Sequence, residues 1–409
     1  MPSGRGVLVF AAGIALWAAA RIAGSPALHM VAVGLVVLPF ASALFARWSR
    51  QRLRVRRRLS DQRVAPGTRV LVDLEIENEA PAPTSFLLLE DRVPPSLGRP
   101  ARLVLAGISA RARQRASYTL TPQARGRYTL GPLVVDISDP FALTRMRMEF
   151  DQRDELVVIP EVEELEAGSS SPFGQTSGLS LARHLFRTGE EFYTMRPYQE
   201  GDDLRRIHWP SVARSGELMI RQDESSRRAS AVLFLDTRES ALGKVRAPAF
   251  ERAVSAAASV GVLLARYGFS MTLATSQMSP MPVTEERMLE ALAGIGHDTS
   301  RALSAGLTRL RSVAAGDVTL VAVTAPPPPT ELTALIRSGV VFGPKIAILV
   351  YPVDPETLPP DRQAHLEGRA TSARLSLSRS GWEVLIVPPS GRLRDVWQRT
   401  RNRSTALSV

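Results

Sequence analysis

The chain has 409 residues, no cysteine and a formal net charge of +11 at neutral pH. Its length exceeds what a single hydrophobic core usually spans, so two or three domains are expected. The absence of cysteine excludes disulfide frameworks, thiolate nucleophiles and cysteine-ligated zinc sites. Residues 1–63 carry a net charge of +9, which leaves a nearly neutral remainder and argues against a broad phosphate-binding surface.

The N-terminal residues 1–46 contain two apolar runs. The first covers residues 7–20, and the second, at residues 27–46, is long enough to span a bilayer. The short break between the runs predicts a transmembrane helical hairpin. Because the first run is short and follows Arg5, a signal peptide is the alternative for it.

Residues 47–63 are rich in arginine and are predicted to form a basic juxtamembrane arm. Arginines that flank a membrane helix stay on the cytoplasmic side, so the body of the protein is expected to face the cytoplasm from the cell membrane. Such an arm can also contact anionic lipid headgroups. Binding of nucleic acid or lipid through the arm is therefore one alternative function.

Residues 64–160 change to an alternation of apolar and polar positions, which is typical of short, half-buried strands. Turn residues separate four clear runs, at residues 70–77, 102–105, 116–120 and 133–137. No helical periodicity interrupts them. The pattern predicts a small β-sandwich of the immunoglobulin-like type.

Residues 161–188 are predicted to be a linker. Residues 161–166 are acidic, and residues 168–178 are small, polar and rich in turn formers, as in flexible connectors. The most densely charged segment of the chain begins directly after this linker.

Residues 189–224 combine charged and aromatic side chains more densely than any other stretch. Asp203 lies in a turn and is placed to cap a short helix from Leu204, which Pro210 limits. Residues 217–221 are predicted to form a strand. The fixed positions of this segment resemble the signature of the family called domain of unknown function 58: Arg196, Tyr198, Gly201, Asp202, Asp203, Arg205, Ile207, Trp209, Ala213 and Arg214.

Two interpretations fit this signature segment. In the first, its carboxylates and arginines form a structural ion-pair network around ordinary aromatic core residues. In the second, the same rigid and charged surface is an interaction site, since binding hot spots favour Trp, Tyr and Arg. The predicted interaction residues are Arg196, Tyr198, Asp202, Asp203, Arg205, Trp209 and Arg214.

Strand and helix patterns alternate from residue 225 to residue 399, and residues 400–409 form a tail. Strands are predicted at residues 231–235, 269–275, 318–323, 346–351 and 382–387. Helices are predicted at residues 250–267, 285–295, 302–314, 330–337 and 362–380. Repeated strand–helix units predict a parallel sheet covered by helices, with ligands at the carboxyl ends of the strands.

The family resemblance implies that this α/β region has a three-layer von Willebrand factor A-like fold, which holds a metal in an Asp-x-Ser-x-Ser loop. The corresponding loop here runs from Asp236 to Ser240, and Arg238 replaces its middle serine. A guanidinium therefore stands where a divalent ion would be coordinated. The candidate ligands are Asp236, Ser240 and Thr324, and we expect a degraded site without a cofactor, bound Mg²⁺ being the less favoured alternative.

The sequence lacks the common nucleotide-binding and metalloprotease motifs. His208 is the best acid–base candidate, and a hydrolase that uses Asp202, Asp203 and His208 is the second alternative function. The favoured function is a membrane-tethered, non-enzymatic protein-interaction or assembly factor. Members of the resembled family are often encoded beside MoxR-type AAA+ ATPases and transglutaminase-like membrane proteins, which implies such partners. No nucleic-acid partner is expected, and the oligomeric state is not predicted.

Overall fold

The computed structural model describes most of the chain. The described residues are 4–49, 53–81, 83–84, 86–138, 145–165, 193–199, 207, 209–223, 229–299 and 302–398. They belong to two compact units, Met1–Ile159 and Pro160–Val409. The predicted tail at residues 400–409 lies outside the described residues.

Two long apolar helices open the first unit. Helix α1 spans Gly4–Ala23 and helix α2 spans Pro26–Ser49, with Gly24 between them in a left-handed conformation (φ 62°). Mean hydropathies of 1.9 and 2.1 over their apolar windows make both helices apolar enough to cross a bilayer. The prediction of two membrane-anchoring helices at the N-terminus is therefore supported.

The two helices pack closely because α1 carries small residues at a spacing of seven. Gly6, Gly13 and Ala20 are the buried positions of α1. A Cβ atom at Gly13 would lie 2.9 Å from Val36 Cγ2 on α2, so the contact requires glycine there. Such contacts between small residues are a common way for membrane helices to approach each other.

Ten strands follow within the described part of the first unit. They are β1 Leu53–Leu59, β2 Arg63–Val64, β3 Val70–Asn78, β4 Leu87–Asp91, β5 Ala101–Leu105, β6 Arg113–Leu120, β7 Gly126–Leu130, β8 Leu133–Ser138, β9 Arg145–Phe150 and β10 Asp154–Val158. They form three sheets, with the orders β1-β3-β6, β2-β10-β7 and β5-β4-β8-β9. All neighbours are antiparallel except β2 and β10.

Alternate side chains of these strands build one apolar core. On β3, the inward residues Val70, Val72, Leu74 and Ile76 are fully buried, whereas the residues between them face outward. The expectation of a strand-rich domain after the hairpin is confirmed by this arrangement.

The predicted basic arm at residues 47–63 needs correction, because part of it is the first strand of this unit. β1 pairs with β3 along its whole length, which places Arg57 opposite Leu74. Arg57 occupies an inward position, and only 1% of its side chain is exposed. Arg54 faces outward and pairs with Glu79 at 3.1 Å. These pairings reduce the free charge that the segment can offer to lipid or nucleic acid.

Two carboxylates hold Arg57 inside the first unit. Its Nε donates to Asp91 Oδ2 at 3.0 Å, and its Nη1 donates to Asp154 Oδ2 at 2.8 Å. Asp91 is fully buried and also accepts a hydrogen bond of 2.6 Å from the Tyr118 hydroxyl. Burial, followed by the charge of Asp91, raises the pKa of Tyr118 above its ordinary value, so the hydroxyl remains a donor. This cluster ties β1 to β4, β6 and β10.

The second unit alternates strands and helices. Its elements are β11 Tyr193–Pro197, α3 Trp209–Ser215, β12 Met219–Asp223, β13 Ser230–Leu235, α4 Glu239–Leu242, α5 Pro248–Arg266, β14 Ser270–Thr275, β15 Met281–Val283, α6 Glu285–Gly294, α7 Leu303–Arg309, β16 Val318–Thr324, α8 Pro329–Gly339, β17 Lys345–Val350, α9 Pro360–Arg379 and β18 Glu383–Val387. β11 and β12 form an antiparallel pair. The other strands form a six-stranded sheet in the order β15-β14-β13-β16-β17-β18, parallel except for the edge strand β15.

Both faces of the six-stranded sheet are covered. On β13, Leu233 and Leu235 join the cluster that contains α5, whereas Val232 and Phe234 join the cluster that contains α7 and α8. Because both faces of these strands are buried, their sequences are continuous apolar runs, as is usual for the strands of parallel sheets. Helix α5 is also long and apolar enough to span a membrane, but 72% of its apolar window is buried within the protein.

The acidic start of the predicted linker at residues 161–188 packs against α5. Ser255 Oγ donates to the Glu161 carbonyl at 2.8 Å, and the Glu163 N–H donates to Ser259 Oγ at 2.9 Å. Leu165 is 3% exposed and lies in the core of this unit. The linker prediction is therefore corrected for residues 161–165, and its remainder falls outside the described residues.

The helix of the signature segment differs from the predicted one in its first residue. Helix α3 begins at Trp209, so Pro210 lies in its first turn, where the missing N–H of proline is tolerated. Leu204, the expected helix start, lies outside the described residues. The following strand, β12, begins at Met219, two residues later than predicted.

Candidate functional site

The candidate site lies at the carboxyl ends of two neighbouring parallel strands. β13 ends at Leu235 and is followed by Asp236, whereas β16 ends at Thr324. The Asp236 N–H donates to the Val323 carbonyl at 2.9 Å, which fixes the start of the loop against β16. Thr324 Oγ1 then donates to Asp236 Oδ2 at 2.8 Å. Both residues are candidate ligands predicted from the sequence, and the structure brings them into direct contact.

The guanidinium of Arg238 lies between two carboxylates at this edge. Its Nε and Nη2 donate to Asp236 Oδ1 and Oδ2, each at 2.9 Å. Its Nη1 and Nη2 donate to Glu331 Oε1 and Oε2 at 2.6 and 2.9 Å. Two-point pairing of this kind is the strongest geometry that a guanidinium makes with carboxylates.

The three charged groups differ in their exposure to solvent. The side chains of Asp236 and Arg238 are 0% and 3% exposed, whereas that of Glu331 is 23% exposed. Burial lowers the pKa of Arg238, but the hydrogen bonds to Asp236 and Glu331 outweigh it and hold the pKa above its ordinary value. The cation is therefore permanent, and the centre carries one cation and two carboxylates.

This arrangement decides how well the centre fits a metal ion. Asp236 Oδ1 accepts from the N–H and Nε of Arg238, and Oδ2 accepts from Arg238 Nη2 and Thr324. Ser240, the third predicted ligand, is exposed in the wall of the neighbouring cleft. Among the described residues no group of three or more His, Asp or Glu side chains could hold an ion. The oxygens of both carboxylates are already bound by the guanidinium of Arg238, so the centre fits this cation.

We expect chelation of divalent ions to leave the stability of the second unit unchanged, because Arg238 already pairs with both carboxylates. The measurement is the melting temperature of the detergent-solubilised chain with EDTA and with added Mg²⁺. Arg238→Ser, which opens the centre, is the comparison: its melting temperature should be lower and should rise with Mg²⁺. A large EDTA-induced drop in the unsubstituted chain would contradict the expectation.

Glu331 is the functional residue that the sequence analysis missed. It lies at the third position of α8, after a run of four prolines and 93 residues beyond Arg238. An acidic residue in the first turn of a helix has an ordinary local explanation, since it complements the helix dipole. Glu331 reaches the centre because β16 lies beside β13 in the sheet, so that α8, which follows β16 in the chain, starts close to the loop after β13.

A cleft of about 390 Å³ opens beside this centre. Pro326 and Pro327, which follow β16, are buried in its wall, and Arg369 from the middle of α9 is half-buried. The lining residues are Arg238, Ser240, Ala241, Ala325, Pro326, Pro327, Pro328, Glu331, Pro352 and Arg369. The size is in the range of small binding pockets, and the lining is mostly apolar with a few polar groups, as binding sites usually are.

The signature segment folds as a β–α–β unit around an exposed tryptophan. Arg196 on β11 pairs with Ile220 on β12, and the Tyr198 N–H donates to the Leu218 carbonyl at 2.8 Å. Trp209, on α3, is 66% exposed, and Arg214 at the end of α3 is also exposed. The carboxylates that could pair with Arg214 lie outside the described residues, so both interpretations of the segment remain predictions.

The other predicted residues of the signature lie outside the described residues. They are Asp202, Asp203, Arg205 and the acid–base candidate His208. The side chain of Arg196 also falls outside the description. Their assignment to an interaction site or to a hydrolase therefore stays a prediction.

The comparisons agree with the resemblance that the signature predicts. Residues 194–322 match the family described as protein of unknown function DUF58. The chain is also 25% identical over 233 residues to the uncharacterized protein YeaD of Bacillus subtilis strain 168, a match that covers 54% of this chain and 56% of YeaD. The chain thus spans just over half the length of this relative.

Two solved structures share short parts of the chain at low similarity. The CARDB domain of a Pyrococcus furiosus protein matches 26% of this chain and 91% of its own, with 11% identity and a TM-score of 0.20. The GAE domain of GGA2p from Saccharomyces cerevisiae matches 26% of this chain and 89% of its own, with 15% identity and a TM-score of 0.19. Scores at this level do not assign a fold.

Proposed function

We propose that this chain, whose residues 194–322 match the DUF58 family, is a membrane-anchored, non-enzymatic protein-interaction or assembly factor. The observation that carries the proposal is the exposure of Trp209, at 66% of its surface, within a segment rich in arginine and tyrosine. Large exposed aromatic residues in such surroundings are typical of binding hot spots.

The charged centre at the sheet edge supports a non-enzymatic role. The oxygens of Asp236 and Glu331 accept hydrogen bonds from Arg238. A carboxylate whose oxygens already accept hydrogen bonds from a fixed guanidinium is poorly placed to take a proton from a substrate. The centre is therefore suited to fixing the edge of the sheet on which a partner can dock.

The proposal includes a more specific identity for each unit. We assign the strand-rich unit an immunoglobulin-like sandwich and the α/β unit a von Willebrand factor A-like fold. The second assignment is supported by the mostly parallel six-stranded sheet with its antiparallel edge strand, and by Asp236 at the carboxyl end of β13. The Asp-x-Arg-x-Ser variant of the loop then makes this a member whose metal position is filled by its own arginine.

For the partner, we propose a MoxR-type AAA+ ATPase together with other membrane proteins. The sequence contains no Gly-x4-Gly-Lys-Ser/Thr motif, so a partner would have to supply nucleotide hydrolysis. Support for this particular partner comes from the family resemblance alone. The hairpin would keep the interaction surface close to a membrane-bound assembly.

We expect a C-terminal reporter to be active only in the cytoplasm, because the arginines after α2 orient the hairpin with both of its ends inside. The measurement is a pair of fusions at Val409, one to a reporter active in the cytoplasm and one to a reporter that needs export. A fusion after Gly24, in the hairpin turn, is the matched control and should show the reverse pattern. Export-dependent activity at Val409 would overturn the orientation.

Trp209→Ala is expected to reduce partner capture by about thirtyfold, or about 2 kcal/mol, with an almost unchanged melting temperature. The exposed side chain contributes little to the core, so its loss acts on binding. Capture is measured by affinity purification from detergent-solubilised membranes and quantitative mass spectrometry. Phe86→Ala is the matched control, since Phe86 is 59% exposed in the other unit.

Two outcomes would contradict the interaction proposal. One is that no protein is enriched with the unsubstituted chain over a hairpin-only control. The other is that Trp209→Ala reduces capture only in proportion to a loss of folded protein. In the second case α3 is a structural element, and the binding surface lies elsewhere.

A further inference from the structure

Within the part of the chain that the structure describes, Arg369 is a cation without a partner in the wall of the cleft beside Arg238. No hydrogen bond or ion pair joins its side chain to any described residue. Its Nε is shut off from solvent, although the residue as a whole is only half-buried. A buried donor left unpaired is destabilising, so such a group usually meets an acceptor from outside the chain, such as an ordered water or a bound ligand.

The carboxylates near Arg369 are already bound by Arg238 and form no ion pair with Arg369. Glu331 lines the same cleft, but Arg238 binds both of its oxygens. Asp236 lies behind Arg238 and is fully buried. No acceptor for Arg369 is found among the described residues, so the cleft offers this cation to an anionic group that enters from solvent.

Apart from Ser240, the rest of the lining consists of alanines and prolines. Four prolines contribute to it, and proline loses little conformational freedom when a ligand binds. Beyond the cleft, Val353 follows Pro352 and is 44% exposed, so apolar surface continues outside the mouth. This combination suits a chain segment that carries one anionic group among apolar groups, rather than a small free anion.

We propose that the cleft receives an acidic side chain, Asp or Glu, from a protein partner, and that Arg369 binds its carboxylate. Planar guanidinium and carboxylate groups match each other at two points. The neighbouring prolines contact the apolar residues that flank the acidic one. This inference rests on the proposed interaction function. It requires the partner to present an acidic side chain that is flanked by apolar residues.

The test uses the full-length chain in detergent micelles and a phage-displayed library of random heptapeptides. Selected peptides should contain Asp or Glu at one shared position. Replacing that residue by Asn or Gln in a synthetic peptide should weaken binding at least about tenfold, and Arg369→Gln should do the same. Arg379→Gln is the matched control, since Arg379 is exposed in the last turn of the same helix.

Other results would overturn the proposal. They are selection of no peptide, selection without an acidic position, equal binding to the Arg369→Gln variant, or displacement of the peptide by inorganic phosphate alone. Capture of the native partner distinguishes a failure of this inference from a failure of the interaction function on which it rests. Equal capture of that partner by the unsubstituted chain and by Arg369→Gln contradicts the role of the cleft and leaves the interaction function standing. Failure to capture any partner contradicts the interaction function, and the peptide result still decides the chemistry of the cleft.

Discussion

Asp236→Ala is expected to lower the free energy of unfolding of the second unit by about 3–5 kcal/mol, because it leaves the buried Arg238 with one carboxylate instead of two. Arg238 has 3% of its side chain exposed, so water cannot replace the lost partner. Thr324 also loses its acceptor. The measurement is denaturant unfolding in detergent, followed by the fluorescence of Trp382 and Trp397, which are buried in this unit.

Two comparisons make this result specific. Asp317→Ala removes an exposed carboxylate from the same unit and should change the free energy of unfolding by less than about 0.5 kcal/mol. Glu331→Ala should fall between the two, since its side chain is partly exposed and water can solvate Arg238 from that side. If Asp236→Ala costs no more than Asp317→Ala, the buried centre is not a stabilising unit of the fold.

Arg57→Leu is expected to destabilise the first unit by about 3–5 kcal/mol, since among the described residues it leaves the fully buried Asp91 with only the Tyr118 hydroxyl as a side-chain partner. Leucine fills much of the volume, so the loss reports on the unpaired charge rather than on a cavity. The measurement is amide hydrogen exchange of β3 and β4, because protection there reflects opening of the core.

Arg54→Leu is the matched control on the same strand. Arg54 pairs with Glu79, but 55% of its side chain is exposed, so the pair is worth at most about 1 kcal/mol. Tyr118→Phe should cost about 1–3 kcal/mol, because it removes one donor from Asp91 and keeps the ion pair. Equal effects of Arg57→Leu and Arg54→Leu would show that Arg57 does not hold the core together.

The features that could be predicted from the sequence have a local physical cause. Two apolar runs predicted the hairpin helices, and alternation along β3 predicted a strand with one buried face. β1 was missed, because four of its seven residues are arginines, which are read as a solvated arm. Its period of two is intact, and the inward place of Arg57 depends on Asp91 and Asp154, which lie 34 and 97 residues further along. Sequence spacing alone does not reveal such distant partners.

The residues of the candidate site also differ in whether a local sequence signal identifies them. Asp236 and Arg238 were found because they lie in one short loop that resembles a known motif. Glu331 was not found, because its contact with Arg238 arises from the order of strands in the sheet. The packed segment at residues 161–165 was read as linker because its glutamates suggested solvent, although Glu163 is bound by Arg252 and by the Arg394 N–H.

The position of Arg57 also has a consequence for the order of events during synthesis. β1 begins at Leu53, four residues after α2 ends, so it leaves the ribosome directly behind the second apolar helix. Asp91 and Asp154 are translated later, and Arg57 is therefore an unpaired, hydrated cation while the hairpin inserts. On the proposed topology, it adds at that stage to the positive charge that orients the helices. Once β4 and β10 have been made, the same guanidinium is withdrawn from solvent into the folded unit. One residue thus directs insertion first and stabilises the fold afterwards, so that on the proposed topology Arg57→Leu weakens both steps, in that order.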